Sequence, residues 1–515
     1  MLRTILIYGR RYTTTYVFVH VLKRLLSQYP DRTADCHFHL VVDDRRDLAL
    51  ARSLLPLDRV TIEAQCEAMQ PFRRDATWQH ETIEKWERRY GDPTLRVYIA
   101  GERALIGRPE AVKWTLLFSH IDYFEKLLSR TRPALFISGA ADGLMSWVAM
   151  AVFRGNGVRC LGLSPCRFGL RSFPLENPYE LLNISRRYKD ILANGLTAAQ
   201  KCFAEELKNE YLAGSVKPLD HVAMRAKTRR LMPNPLNAAR LIYEACCTDA
   251  GQFDQPLWVT IGRAIKARRT ALRNILLSKK TISSPVKGER YFFFPLQFEP
   301  ESSLSTQGRG WTDQVELIKL IANSLPVDRW LYVKEHPSML SGIRPFSFYR
   351  EILNLPQVRL VNQRVTSMEI IPKAEAVITV TGTAGWEGLM FGKPVVLFGH
   401  AFYEEFDEGV IIVNGVESLP SILQSLRQRT IPDKALNAFI AAVVENAPEG
   451  IISEPRFLPA VTEAVMDENN LDKLGKIILS RLEESQRPAP QNNSEGREGD
   501  SRTLGFGIRH EHSSA

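Results

Sequence analysis

Two apolar runs that end in distinctive turns constrain the fold of this chain most. One run, at 376–380, leads into the turn 381–385 (TGTAG), and helical periodicity begins directly after it. The other, at 329–334, ends in KEHP, and a proline cannot continue a central ladder because it has no amide hydrogen. In a parallel sheet such turns lie at the carboxyl edge, where α/β proteins bind nucleotides. The pattern therefore favours a nucleotide-dependent enzyme over a binding module.

Strand and helix patterns alternate in two separate stretches of this 515-residue chain. The first predicts strands at 2–8, 37–42, 134–138 and 158–163 and helices at 16–28, 120–129 and 144–154. The second predicts strands at 291–295, 329–334, 358–361, 376–380 and 394–398 and helices at 313–323, 346–353, 366–374 and from 385. Such alternation predicts an α/β protein with two doubly wound parallel sheets joined by right-handed crossovers.

Four segments follow from this pattern. Residues 1–214 form an N-terminal Rossmann-like domain, and residues 215–287 form a basic helical connecting segment. Residues 288–483 form a C-terminal Rossmann-like domain that ends in helices near 422–428, 435–444 and 457–482. Residues 484–515 are rich in polar and charged residues and are expected to be disordered.

The net charge of +9 is compatible with nucleic acid, an anionic membrane surface or phosphorylated substrates. No nucleic-acid-binding motif is present, so nucleic acid is not an expected partner. The basic helical pattern of the connecting segment fits either an anionic lipid surface or a solvated helix packed on its own domain. The seven cysteines show no metal-site spacing, and no signal-peptide order or membrane span is evident, which predicts a cytoplasmic protein.

The two turns supply candidate residues for binding a nucleotide. Lys334 and His336 would contact a phosphate, and Glu387 would bind the ribose hydroxyls. In the turn, backbone amides and hydroxyls would approach the same anion. The remaining candidates in these segments are Gln297, Pro337, Thr381, Gly382, Thr383 and Gly385. Alternatively, the glycines serve tight packing, His336 ends a strand, and Glu387 is a first-turn acid. The turn matches neither a Walker loop nor GxGxxG, so no ATP, NAD or other cofactor is expected.

Carboxylates near the expected cleft are candidates for the chemistry. Glu299 and Glu301 follow the strand 291–295 and share a face of an extended segment, and Asp142 follows the strand 134–138. A polar loop and a helix N-cap are the simpler roles for these residues. Arg167 and Arg171 would neutralise an acidic sugar or a leaving phosphate, or else are surface charges. The pair at 43–44 lacks DxD spacing, so no metal is expected.

The segments PLQFEPESS, VKEHP and TVTGTAGWEGLMFGKPVVLFGHAFY resemble the bacterial capsule polysaccharide biosynthesis family, from about 291 to 403. That family is similar to the GT-B transferases that use CMP-Kdo. The resemblance implies two domains that face a cleft, with the donor in the C-terminal domain and the acceptor in the N-terminal one. It implies that His336 and Pro337 contact the CMP phosphate. It further implies that Glu301 is catalytic in a retaining double displacement.

The chain departs from the Kdo transferases at two places. Those enzymes carry a pair of aspartates where this chain has Pro300 and Glu301, and their Glu-Asp-Gly segment is replaced by Ser164-Pro165-Cys166. The transferase class is therefore better supported by the motifs than the CMP-Kdo donor or the retaining outcome.

The sequence predicts a metal-independent glycosyltransferase of surface polysaccharide assembly, peripheral at the inner face of the cytoplasmic membrane. Its partners would be a nucleotide sugar and a lipid-linked or glycan acceptor. Two alternatives remain: a scaffold protein that has lost its chemistry, and a sugar-nucleotide epimerase of similar architecture.

Overall fold

The structure is a computed structural model. It describes residues 2–10, 14–69, 79–91, 94–102, 105, 107–140, 143–166, 168–177, 184–215, 280–299, 302–336, 339, 344–362, 365–452 and 459–484. Most of the predicted connecting segment and all of the predicted disordered tail beyond residue 484 lie outside these ranges. No described helix is both long and apolar enough to cross a membrane.

The first half of the chain forms a six-stranded sheet in the order β3-β2-β1-β4-β5-β6. All its pairings are parallel except that of β5 with β6. Its strands are β1 (Arg3–Gly9), β2 (Cys36–Val42), β3 (Val60–Ala64), β4 (Leu135–Gly139), β5 (Arg159–Pro165) and β6 (Ser172–Leu175). The helices are α1 (Thr15–Gln28), α2 (Arg45–Leu54), α3 (Gln65–Ala68), α4 (Gln79–Tyr90), α5 (Arg96–Ala100), α6 (Glu110–Thr131), α7 (Leu144–Gly155), α8 (Ile184–Asn194) and α9 (Ala198–Leu212).

The second half forms another six-stranded sheet, all parallel, in the order β12-β11-β10-β7-β8-β9. Its strands are β7 (Tyr291–Pro295), β8 (Trp330–Lys334), β9 (Val358–Val361), β10 (Ala376–Thr379), β11 (Val395–Leu397) and β12 (Val410–Ile412). The helices are α10 (Ser302–Gln307), α11 (Gln314–Asn323), α12 (Phe346–Leu353), α13 (Ser367–Ile370), α14 (Ala384–Met390), α15 (Leu419–Ser425), α16 (Asp433–Glu445), α17 (Pro459–Met466) and α18 (Glu468–Glu484).

Both sheets are covered by helices on their two faces, which explains why their central strands are apolar without alternation. In β1 the side chains of Ile5, Leu6 and Ile7 are all fully buried, although neighbours point to opposite faces. In β7 the three residues Phe292–Phe294 are buried in the same way. The predicted fold class of two doubly wound parallel sheets is therefore confirmed, with an antiparallel edge at β6.

The two sheets have the same strand order relative to their chain direction. In each, the chain builds outward from its first strand and then returns to start the other side with its fourth, so the order reverses between β1 and β4 and between β7 and β10. Ligands of open α/β sheets bind in the crevice at such a reversal, beyond the carboxyl ends of the strands. In the second sheet this crevice lies between the residues that follow Pro295 and those that follow Thr379.

Packing crosses between the two halves of the chain. Helices α8 and α9 contribute Tyr188 and Leu207 to the same apolar cluster as Phe439 of α16. In return, α18 contributes Leu474 and Ile478 to the cluster around β1 and α1. Each half therefore completes its core with helices from the other part of the chain. The predicted boundaries at 214 and 288 stay predictions for the sequence, and they do not mark where one packing unit ends.

Several elements differ from the predicted ones. The strands β3, β6 and β12 lie at sheet edges and were not predicted. The single helix predicted over 457–482 is wrong: α17 ends at Met466 and α18 begins at Glu468. Asp467 separates them because its side chain accepts hydrogen bonds from the amides of Asn469 and Asn470, which starts a new helix.

Candidate functional site

The glycine turn lies between β10 and α14 and is held by side chains beneath it. The amide of Gly382 donates to Thr379 Oγ1 at 3.1 Å, and the Tyr403 hydroxyl donates to the Gly382 carbonyl at 2.5 Å. A Cβ at Gly385 would lie 2.2 Å from Tyr403 Oη, so only glycine fits there without displacement. The turn is therefore fixed from below, while Thr381, Gly382 and Thr383 remain partly exposed.

Gln297 links this turn to the end of β7. Its side-chain Nε2 donates to Thr379 Oγ1 at 3.0 Å, and its backbone amide donates to Gln314 Oε1 at 2.6 Å. A Cβ at Gly382 would lie 2.6 Å from Gln297 Nε2, so the segment after β7 and the glycine turn touch. The structure thus brings Gln297 and Gly382, predicted from separate motifs, together in the crevice of the second sheet.

Lys334 and His336 lie at the end of β8, beside β7. The Lys334 side chain is buried, and its Nζ donates to the Glu335 carbonyl at 3.3 Å. Burial lowers the pKa of Lys334, whereas the carboxylates of Glu335 and Glu387 act in the opposite sense. His336 is half-buried, and its ring meets that of Phe298 edge to face at 5.8 Å. The Lys334 side chain is therefore held next to the crevice, with the carboxylates of Glu335 and Glu387 nearby.

Glu335 belongs to this site and was not predicted. Its carboxylate accepts from the His336 amide at 2.6 Å and from the Tyr349 hydroxyl at 2.6 Å, and it lies 3.0 Å from Arg344 Nε. Burial raises the pKa of Glu335, while Arg344 and Tyr349 favour its ionised form. The sequence held one signal for Glu335: it lies between the candidate residues Lys334 and His336. Because neighbouring residues of a strand point to opposite faces, its side chain faces away from theirs. Its contacts fix the backbone that carries His336.

Arg344 connects Glu335 to Glu299. Its Nη1 donates to Glu299 Oε2 at 2.5 Å, and its Nη2 donates to the Gln297 carbonyl. The Glu299 Oε1 atom accepts from Gln314 Nε2. Both carboxylate oxygens of Glu299 are therefore occupied, and the network formed by Glu299, Glu335, Arg344 and Gln314 supports the loops of the crevice from behind.

Glu387 lies in the first turn of α14 and is 8% exposed. Burial is the largest cause that raises the pKa of Tyr403, and the charge of Glu387 raises it further. The same charge favours the ionised form of Lys334. Glu387 therefore lies close to both the turn and the end of β8. Of the donor-binding residues predicted from the sequence, only Pro337 falls outside the described ranges.

The residues predicted for catalysis and for an acidic group are less well defined. Glu301, Asp142 and Arg167 lie outside the described residues. Arg171 donates to the Ala447 carbonyl at 2.8 Å and to Glu449 Oε1 at 3.2 Å, so it joins the two halves of the chain. Within the described ranges, no three histidine, cysteine or acidic residues are grouped so as to hold a metal ion.

The strand orders and the crevice of the second sheet define an α/β protein with a candidate nucleotide site. Residues 223–410 match the family model described as "Capsule polysaccharide biosynthesis protein". This match confirms, for that part of the chain, the resemblance predicted from the motifs.

Two curated relatives each match about a fifth of this chain. Capsule polysaccharide modification protein LipA of Neisseria meningitidis serogroup A is 25% identical over 115 residues, which are 22% of this chain and 16% of LipA. Protein FixF of Sinorhizobium fredii is 26% identical over 118 residues, 22% of this chain and 27% of FixF. The match therefore spans less than a third of either relative.

Solved structures are similar at a low level. The beta Kdo 2,7 transferase KpsC of Thermosulfurimonas dismutans is 13% identical, with a TM-score of 0.35 over 68% of this chain and 90% of that chain. The UDP-GlcNAc 2-epimerase of Methanocaldococcus jannaschii is 12% identical, with a TM-score of 0.26 over 86% of this chain and 98% of that chain.

Proposed function

We propose that this protein is a glycosyltransferase of bacterial capsule or surface polysaccharide biosynthesis. The observation that carries the proposal is the meeting of Gln297, the Lys334–His336 segment and the glycine turn in one crevice of the second sheet. The match of residues 223–410 to the capsule polysaccharide biosynthesis family supports the same reading. The donor is a nucleotide sugar, with CMP-Kdo the first candidate, and the acceptor is lipid-linked or a glycan.

In this proposal the crevice binds the nucleotide. His336 and Lys334 contact the phosphate, and the hydroxyls of the partly exposed Thr381 and Thr383 add donors to it. Glu387 accepts from the ribose hydroxyls. The network behind the crevice keeps His336 and Gln297 in place before the donor arrives, so less ordering is required on binding.

The chemistry is assigned to Glu301 and Asp142. One of these carboxylates either attacks the anomeric carbon while the bond to the nucleotide phosphate breaks, or removes the proton of the acceptor hydroxyl as it attacks. Glu299 is assigned a positioning role instead, because Arg344 and Gln314 occupy both of its oxygens. No metal or cofactor takes part, and Arg167 and Arg171 stay candidates for an acidic sugar or a leaving phosphate.

A thermal-shift screen of the purified chain against CMP, UDP, GDP and their sugar conjugates tests the nucleotide site. A ligand that binds the native state raises the melting temperature. We expect one nucleotide class to stabilise the protein, and His336→Ala to weaken that effect. His37, a half-buried residue of β2 whose ring bonds to Thr61 far from the crevice, provides the control variant His37→Ala. No stabilisation by any nucleotide would contradict the proposal.

Transfer assays separate the proposed function from its alternatives. A glycosyltransferase releases the nucleotide only with an acceptor or by slow hydrolysis, and Glu301→Ala should reduce transfer by orders of magnitude. Turnover of free UDP-sugar without an acceptor would indicate an epimerase. Nucleotide binding without any turnover would indicate a scaffold that has lost its chemistry.

The membrane association is proposed from the charge of the connecting segment. Sedimentation with vesicles that contain anionic lipid should decrease as salt increases, because screening weakens electrostatic attachment. Vesicles of neutral lipid are the control. Binding that ignores both salt and lipid charge would contradict a peripheral, electrostatic association.

A further inference from the structure

A second basic group lies beside the glycine turn, on the side away from His336. The segment after α10 contacts the segment after β11: the His400 amide donates to the Gln307 carbonyl at 2.7 Å. A Cβ at Gly399 would lie 2.5 Å from that carbonyl oxygen and 2.8 Å from Thr381 Cγ2. Because Thr381 is the first residue of the glycine turn, Arg309 and His400 belong to the rim of the same crevice.

Arg309 is held in an unusual backbone conformation there. Its φ is +49°, in the left-handed region, and the next residue, Gly310, has φ +86°. A left-handed φ costs free energy for any residue with a Cβ, and glycine would adopt it readily. Backbone strain of this kind is common where a side chain has a functional role. Arg132 and Gln357 share this left-handed φ, so the role of Arg309 rests on the contacts of its side chain.

One edge of the Arg309 guanidinium is fixed by a chain of hydrogen bonds. His400 Nδ1 lies 3.1 Å from Glu404 Oε2, and Arg309 Nε donates to His400 Nε2 at 3.1 Å. With the proton on Nδ1, His400 donates to Glu404 and accepts from Arg309 Nε, and Glu404 is then the acceptor for Arg309 Nη2. The other nitrogen, Nη2, lies 3.1 Å from His400 Nδ1 and 3.5 Å from Glu404. Within the described ranges, Nη1 has no hydrogen-bond partner, and the side chain is 24% exposed.

We propose that Arg309 binds a second oxyanion of the donor, distinct from the phosphate held at His336. This inference rests on the proposed function. An oriented guanidinium with a free nitrogen is suited to a carboxylate or a phosphate. Two donors carry such a group: an acidic sugar supplies a carboxylate, and a nucleoside diphosphate sugar supplies a second phosphate. Arg309 therefore determines which donors bind well.

Calorimetric titration of CMP, CMP-Kdo, UMP and UDP tests this role. The main variant is Arg309→Gly, because glycine accepts the left-handed φ and removes the side chain without new strain. We expect affinity for CMP and UMP to change less than about twofold, and affinity for the ligand with a second anion to fall about tenfold or more. Arg309→Lys, which keeps the charge but loses the fork, should be intermediate. Arg427, an exposed partner of Asp328, gives the control Arg427→Gln.

The outcomes separate the sources. A loss confined to CMP-Kdo assigns the sugar carboxylate, a loss confined to UDP assigns the second phosphate, and a loss in both assigns either oxyanion. Equal losses for CMP and CMP-Kdo, or no loss in any ligand that binds, would overturn the role of Arg309 and leave the proposed function standing. If none of the four ligands binds the wild-type protein, the proposed nucleotide site fails, and this inference fails with it.

Discussion

At the scale of single residues, Gly385 is restricted by one atom of a distant side chain. A Cβ there would lie 2.2 Å from Tyr403 Oη. Gly385→Ala should therefore displace Tyr403, whose hydroxyl holds the Gly382 carbonyl, and cost on the order of 1–3 kcal/mol of stability. Thermal unfolding measures the loss.

The same substitution in a Tyr403→Phe background is the control for this prediction. Removing the hydroxyl leaves Cζ, at 2.6 Å, as the nearest atom, so the cost of the added methyl group should fall. An equal cost in both backgrounds would show that the hydroxyl does not exclude a side chain at Gly385.

Glu63, on β3, links stability to pH. Burial raises its pKa, but the nearby His39 and the hydrogen bonds from Tyr123 and Arg130 outweigh this and lower the pKa to about 2. A lowered pKa gives stability that is present above about pH 4.5 and is lost as the pH falls toward 2. The full effect is on the order of 3 kcal/mol.

Glu63→Gln should remove this contribution. The variant should be less stable than the wild type at pH 7, and the difference should shrink as the pH is lowered from 5 to 3, as measured by urea unfolding. Glu67→Gln is the control, because Glu67 pairs with Arg45 at an exposed site where little stability is expected. A difference that stays constant with pH would contradict the linkage.

At the scale of elements, the network behind the crevice joins β7, β8 and α12. Arg344 is 3% exposed and pairs with Glu335, which is 1% exposed. Arg344→Met should leave a buried carboxylate without its cation and cost about 3–5 kcal/mol. Adding Glu335→Gln should recover much of this, since the buried group is then neutral. Equal stability of the single and double variants, measured by urea unfolding, would contradict a charge effect.

The elements of the crevice were largely predictable, and their support was not. Short apolar runs that end in turn residues predicted β8, β10 and the residues that follow them. Such a strand and its end can be recognised from neighbouring residues alone. Arg344 sits ten residues from Lys334 in a segment without periodicity, and its role depends on contacts with Glu299 and Glu335 that only folding creates.

At the scale of the whole molecule, α18 is part of the core of the first sheet. Ile478 is fully buried in the cluster that contains β1 and α1, and a Cβ at Gly475 would lie 3.2 Å from Leu25 Cδ2. Ile478→Ala should cost about 2–5 kcal/mol. The loss should also increase hydrogen exchange in β1, which is far away in sequence but adjacent in the core.

Lys476→Ala provides the matched control on the same helix. Lys476 is exposed and pairs with Asp472 one turn away, so its removal should change stability by about 0.5 kcal/mol or less. If Ile478→Ala accelerated exchange only within α18 and left β1 unchanged, the last helix would not be part of the first core. The exchange of helices between the halves was not predictable, since amphipathic patterns identify an apolar face but not its partner.

The crossing of helices has a consequence for synthesis on the ribosome. The strands of the first sheet leave the ribosome long before α18, whose end at Glu484 follows Leu175 by about 300 residues. At typical elongation rates of about 5–20 residues per second, roughly 15–60 seconds pass before the last helix of this core has been made. During that interval the surface next to Leu25 lacks the contacts that Leu474 and Ile478 provide in the complete protein. We therefore expect the first half expressed alone to be less stable than the full chain, because the core contacts of α18 are missing.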